Sequence, residues 1–217
     1  MERMDVSVVL GFLVAVFLVS VVPGPDMLFI VANAAAGGRR TGVVAAAGMS
    51  TGLAVHSVAA ALGLGALIQA APQVLNGVRI AGAAFLLYLA YLTWRASRQE
   101  FGAPEDAPRL PRRTLRRTYV MATLTNLANP KVILFYLAFV PQFISTGSGS
   151  WPVTVQFLVL GAVFILVGFP VDASAALLAG TLTERFFRTG SRIRRRLERV
   201  TAAIFAGLAA RLAIDIH

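Results

Sequence analysis

Six stretches of this chain stay apolar long enough to cross a membrane as helices, and two of them are broken by proline. They run about Val6–Ala36, Val43–Ala71, Val74–Trp94, Tyr119–Ile144, Val153–Leu182 and Val200–Ile216. A hydrocarbon core about 30 Å thick takes about 20 helical residues, so each stretch predicts one membrane-spanning α-helix. The roughly ten-residue alternating segments of a membrane β-barrel are not seen. At 1.5 Å per residue the first stretch would be about 46 Å long, more than the bilayer needs. Pro23-Gly24-Pro25 lies inside it, and Asn129-Pro130-Lys131 lies inside the fourth. Proline removes a backbone donor and clashes with the preceding turn. At membrane depth the freed groups must be satisfied by protein or by water. The pattern predicts an all-α integral membrane fold of six transmembrane helices, with helices 1 and 4 each split into two half-helices.

An ionisable residue follows each break: Asp26 after Pro25 and Lys131 after Pro130. A charge at mid-bilayer costs roughly 3 kcal/mol on insertion scales and is seldom kept without a use. The two halves of the chain also read alike. Pro25-Asp26-Met27-Leu28-Phe29-Ile30 lies against Pro130-Lys131-Val132-Ile133-Leu134-Phe135. In the following span, Gly52–Leu62 lies against Gly168–Leu178 with five of eleven positions identical, and His56 falls on Asp172. Common apolar residues account for the identities, whereas the alignment of ionisable positions does not follow from composition. Three spans per repeat is an odd number, so the halves would insert with opposite topology. That predicts two inverted three-helix repeats, residues 1–97 and 119–217, joined by a cytoplasmic linker at 98–118. Paired broken helices in such repeats point to a transporter's binding site.

Composition sharpens the class. Hydrophobic residues make up 57% of the 217 and charged residues 14%, against about 25% charged in a soluble domain. There is no cysteine, which removes disulfides and thiol chemistry. His56 and His217 are the only histidines, and no cluster has the spacing of a metal site. Neither a nucleophile–base pair nor a cofactor motif is visible, so neither an enzyme nor a cofactor is expected. The net charge is +10, but the basic residues sit between spans, where topology explains them without nucleic acid. The first such loop carries Arg39 and Arg40. The third carries seven arginines between Arg95 and Arg117, and the fifth seven between Arg185 and Arg199. Only Arg3, Arg79 and Arg211 fall on the opposite side. The positive-inside rule then places loops one, three and five in the cytoplasm and both termini outside. The fifth loop, Thr183–Arg199, mixes Phe186, Phe187, Ile193 and Leu197 with arginines. It reads either as a solvated loop or as a basic amphipathic helix on anionic lipid. The start of the chain, with Glu2 and Asp5 against Arg3, lacks the basic region of a signal peptide.

The candidate chemistry gathers at the breaks. In an inverted repeat Asp26 and Lys131 would face each other near the midplane, as a binding pair or as a structural ion pair. Asp172 suits a group that exchanges a proton or binds a cation. His56 is open to two readings, a proton-exchanging imidazole or a packing histidine bonded to a neighbouring carbonyl. Half-helices starting after Pro25 or Pro130 present N–H groups and a positive dipole end that could hold a carboxylate. Asn126 and Asn129 add neutral donors and acceptors, and Tyr136 could wall the pocket. A zwitterion fits such a site, its carboxylate toward Lys131 or a half-helix and its ammonium toward Asp26 or Asp172. Gly48 and Gly52 form a small-xxx-small pair that favours close packing within the chain over a dimer interface.

These residues resemble the LysE/RhtB (lysine exporter / homoserine–threonine resistance) family of amino-acid exporters. The likeness is carried by Pro23-Gly24-Pro25, by Ala47–His56, by Ala81–Leu89, by Asn126–Lys131, by Pro141-Gln142-Phe143 and by Asp172. Ala90 departs from the glycine that many members carry there. The resemblance implies a small multi-pass protein of the bacterial plasma membrane that exports amino acids or their derivatives by proton antiport. Substrate binding would involve Pro23, Gly24, Pro25, Asp26, Asn126, Asn129, Pro130, Lys131 and Tyr136. Proton coupling would involve Asp172, His56 and Asp26. Its expected partners are an amino-acid substrate, protons and membrane lipid, and a homo-oligomer is compatible with the sequence. The rival readings are a passive small-solute channel and an exporter of a metabolite that is not an amino acid.

Overall fold

The computed structural model describes residues 6–21, 24–70, 113–147 and 149–189, with scattered positions from 77 to 98 and from 199 to 210. The third and sixth predicted spans and the linker lie largely outside the described residues, as does Pro23. Every described regular element is helical.

Helix α1 (Val6–Val21) and helix α2 (Pro25–Gly37) make up the first predicted span, and their axes bend by 51° at the break. Helix α4 (Leu115–Leu127) and helix α5 (Pro130–Leu134), with its continuation to Phe143, make up the fourth and bend by 48°. Two unbroken helices stand beside them: α3 (Arg39–Ala70) and α6 (Val153–Thr189). Arg39–Leu67 and Val153–Ala179 are each long and apolar enough to cross a membrane, and each bent pair adds a span when taken as one. This is a multi-pass membrane protein.

Both breaks fall where proline dictates, but their ends are finished differently. Asn129 caps α5, its Oδ1 accepting from Lys131 N at 3.0 Å, as asparagine commonly does. Gly24 caps α2 with extended backbone and offers no side chain to the opening turn. Beyond α5 the chain widens into a π-helical turn at Phe135–Phe139 and tightens into a 3-10 turn at Val140–Phe143. Such irregular turns commonly mark functional segments of a helix.

Two boundaries differ from the sequence expectation. Helix α4 begins at Leu115, inside the expected linker 98–118, because Thr114 Oγ1 accepts from Arg117 N at 3.3 Å and starts the helix a turn earlier. Helix α6 runs through Thr189, seven residues into the expected fifth loop. No proline follows Leu182 there, and Gly190 is the first helix-stopping residue. Whether the rest of Thr183–Arg199 lies on lipid falls outside the described residues.

Close approach of α3 to its neighbours rests on glycine. A Cβ at Gly48 would lie 2.5 Å from the Tyr119 carbonyl oxygen, and one at Gly52 2.5 Å from Asn126 Oδ1. A Cβ at Gly161 of α6 would collide with the Ser57 hydroxyl. The small-residue pair of the second span thus packs on α4 of the same chain. Gly52→Val is expected to lower stability by about 1–3 kcal/mol through overpacking, read as an earlier thermal transition of the detergent-purified protein.

The core between α1, α6 and the irregular stretch is aromatic. Phe12 stacks on Phe139 at 6.3 Å and meets Phe143 edge-on at 5.1 Å. Phe135 lies 4.6 Å from Phe139 and 4.8 Å from Phe164. The loop after this layer is clasped by Gln156, which is 1% exposed. Its Oε1 accepts from Ser145 N at 2.9 Å, while Nε2 donates to the Ser145 and Trp151 carbonyls at 2.8 and 2.6 Å.

Candidate functional site

A helical carbonyl normally accepts from the N–H four residues on. Pro23 has no N–H to give Val19, and Pro130 has none to give Asn126. Each of these two carbonyls meets an ionisable side chain from elsewhere in the chain. Lys131 Nζ, from α5, donates to Val19 O at 2.7 Å. His56 Nε2, from α3, lies 3.4 Å from Asn126 O, which also accepts from Asn129 N at 3.0 Å. The second half of the chain thus supplies the donor for the break in the first, and the first half supplies one for the break in the second.

Between the breaks lies a cavity of about 50 Å³, room for a few waters. Asp26 reaches it from the first turn of α2, Lys131 from α5 and Asp172 from α6. Both carboxylates lie within electrostatic range of the Lys131 ammonium. The elements expose these groups through helical spacing. Phe164, Gly168 and Asp172 recur every four residues on α6, and Lys131, Val132 and Phe135 share one face after the break. Asn126 Nδ2 donates to Asp26 Oδ2 at 2.9 Å and fixes the carboxylate. Asp26 Oδ1, Asn126 Oδ1 and Asn129 Nδ2 are buried without a hydrogen-bond partner. The lining also includes the apolar residues Val19, Met27, Leu53, Val132, Phe135 and Phe164.

Of the expected binding residues, the structure gathers Gly24, Asp26, Asn126, Asn129 and Lys131 around this cavity. Pro25 and Pro130 make the breaks but are exposed and do not line it. Tyr136 does not wall it. It stands behind, 3% exposed, its hydroxyl 2.7 Å from Ser57 Oγ and 3.3 Å from Leu53 O. The reason is spacing. Five residues on from Lys131 a helix has turned well off the cavity face, and Phe135 takes the wall. Of the expected proton-coupling residues, Asp172 and Asp26 line the cavity. His56 does not; it stacks on Tyr136 at 5.8 Å beside the Asn126 carbonyl. Sequence reasoning named none of the other lining residues as site residues, Ser20, Phe135 and Phe164 among them. The four-residue spacing that ends at Asp172 would have found Phe164.

Paired broken helices around buried charges are matched by what the chain as a whole resembles. It fits the description of the LysE type translocators over residues 17–216. The chain belongs to the LysE type translocator family. Among its relatives, the leucine efflux protein of Enterobacter sp. (strain 638) is 32% identical over 206 residues, which is 93% of this chain and 93% of that protein. The leucine efflux protein of Klebsiella pneumoniae is 31% identical over 204 residues, 94% and 93% of the two chains. An uncharacterized membrane protein of Pseudomonas aeruginosa is 32% identical over 203 residues, 93% of each. No solved structure matches the chain. In this LysE type translocator the matched region takes in both breaks and all three cavity charges.

Proposed function

We propose that this translocator exports amino acids with apolar side chains across the bacterial plasma membrane, in exchange for protons. The observation that carries the reading is the convergence of Asp26, Lys131 and Asp172 from three helices on one cavity between two broken spans. Opposite charges together with several apolar lining residues suit a zwitterion with a hydrocarbon side chain, and two relatives are named leucine efflux proteins. Asp26 and Lys131 shape the site, and Asp172 takes up and releases the proton. His56 serves the carbonyl that Pro130 leaves. The near-equal bends at the breaks, 51° and 48°, support two inverted three-helix repeats, and the arginine distribution supports both termini outside and the arginine-rich loops inside. In its present volume the cavity is too small for an amino acid, so the loaded state needs α2 and α5 to part. Movement of one repeat against the other would supply this.

The test is efflux from cells with and without the protein, loaded with a dipeptide mixture, with every external amino acid quantified. Faster appearance of leucine or another apolar amino acid, abolished by an uncoupler, is the expected result. Uncoupler-insensitive leakage of many solutes would instead mark a channel. No change in any amino acid would point to a different metabolite.

A further inference from the structure

Three buried polar atoms on residues that line the cavity have nothing to bond, and they are of both kinds. Asp26 Oδ1 and Asn126 Oδ1 are acceptors and Asn129 Nδ2 is a donor. Asn129 is 3% exposed and lines the cavity. Its other amide atom is already spent, since Oδ1 caps Lys131 N. Leaving a buried polar group unmet costs free energy, and more so where lipid replaces water. A ligand in this cavity with an acceptor pole and a donor pole could satisfy both kinds.

Further donors belong to the same lining. A Cβ built on Gly24 would lie 3.6 Å from Lys131 Nζ, so the ammonium rests against the opening turn of α2. That 13-residue helix has no side-chain cap. Pro25 carries no N–H, Leu28 N bonds back to Gly24 O at 3.0 Å, and the N–H groups of Asp26 and Met27 precede the first intrahelical donor. We infer that Asn129 Nδ2, with the Lys131 ammonium and the opening turn of α2, receives the carboxylate of the exported compound, while Asp26 Oδ1 receives its ammonium. This rests on the exporter reading and narrows it. The cargo must carry both a free carboxylate and a free ammonium on neighbouring atoms. Amino-acid amides, decarboxylated amines and the matching acids without nitrogen are poor ligands.

The experiment is equilibrium binding to the full chain purified in detergent, first with the twenty proteinogenic L-amino acids. The tightest of them is then compared with its amide and its decarboxylated amine, for leucine these being leucinamide and 3-methylbutylamine. Wild type should bind the amino acid at least about tenfold more tightly than either analogue, as loss of a charge-assisted bond implies. Asn129→Ser keeps a good cap for Lys131 N but loses the amide donor. It should melt like wild type without ligand, bind the amino acid about tenfold more weakly, and bind the amine unchanged. Asn129→Asp also keeps a cap and should lose amino-acid binding outright. Equal binding of amino acid and amide by wild type, or undiminished binding by a folded Asn129→Ser, would overturn the assignment and leave the exporter reading standing. Failure of wild type to bind any amino acid would overturn the exporter reading and this inference with it.

Discussion

Replacing Lys131 by methionine is expected to cost about 3–5 kcal/mol of stability, the scale of a buried charge stripped of its counter-charge. Two losses combine. Asp26 and Asp172 stay on a cavity from which the only cation among its lining residues has gone. The Val19 carbonyl loses its 2.7 Å donor, and Pro23 has no N–H with which to replace it. Adding Asp26→Asn should return part of the loss, because it removes one carboxylate and retains an amide that can bond Asn126. The double variant should therefore melt above the Lys131→Met single, with a coupling of about 0.5–3 kcal/mol. Simple additivity of the two transitions, followed by size-exclusion after heating, would show that the two side chains do not act on each other. Incomplete rescue by Asp26→Asn is also expected, since it does not mend the Val19 carbonyl.

The breaks were legible because proline acts locally, and their consequence at Val19 and Asn126 follows from counting back four residues. The donor that fills each gap was not legible. Lys131 and Val19 are 112 residues apart, and His56 and Asn126 are 70 apart. Only the packing of α3 on α4, which Gly48 and Gly52 permit, brings the second pair together. The ionisable residues stood out against an apolar background, so Asp26, Lys131 and Asp172 could be named before their convergence was seen. Tyr136 stands behind the cavity rather than on it for the opposite reason. It is amphipathic and near the break, but its hydroxyl finds Ser57 on α3, while Phe135, with no polar signal, faces the cavity. Helix ends shifted where caps outweighed hydropathy, at Thr114, or where nothing stopped the helix, up to Thr189. Gln156 was a polar residue at the start of an apolar run, and its role as a clasp depended on a loop whose path no periodicity foretells.

Asp172→Asn is expected to abolish gradient-driven efflux while leaving folded protein in the membrane. Asparagine matches aspartate in size and keeps its hydrogen-bonding capacity, but it cannot take up or release a proton. The fold should tolerate the change, because Asp172 sits at the cavity rather than in the packed core and its removal leaves Asp26 to face Lys131. Transport should not tolerate it if the proton travels on this carboxylate. Without a titrating group the carrier retains a site but loses the step that couples its return to proton entry. The measurement is counterflow beside net efflux in proteoliposomes. Exchange of labelled for unlabelled amino acid needs no net proton movement and should persist in Asp172→Asn, within about tenfold of wild type as for loss of one charged contact. Uphill efflux driven by an imposed pH gradient should vanish. Loss of both would make Asp172 a binding residue, and survival of both would remove it from the mechanism. The contrast with Lys131 is the point of doing both. One substitution is expected to break the structure that holds the cavity, and the other to leave that structure whole and uncouple it.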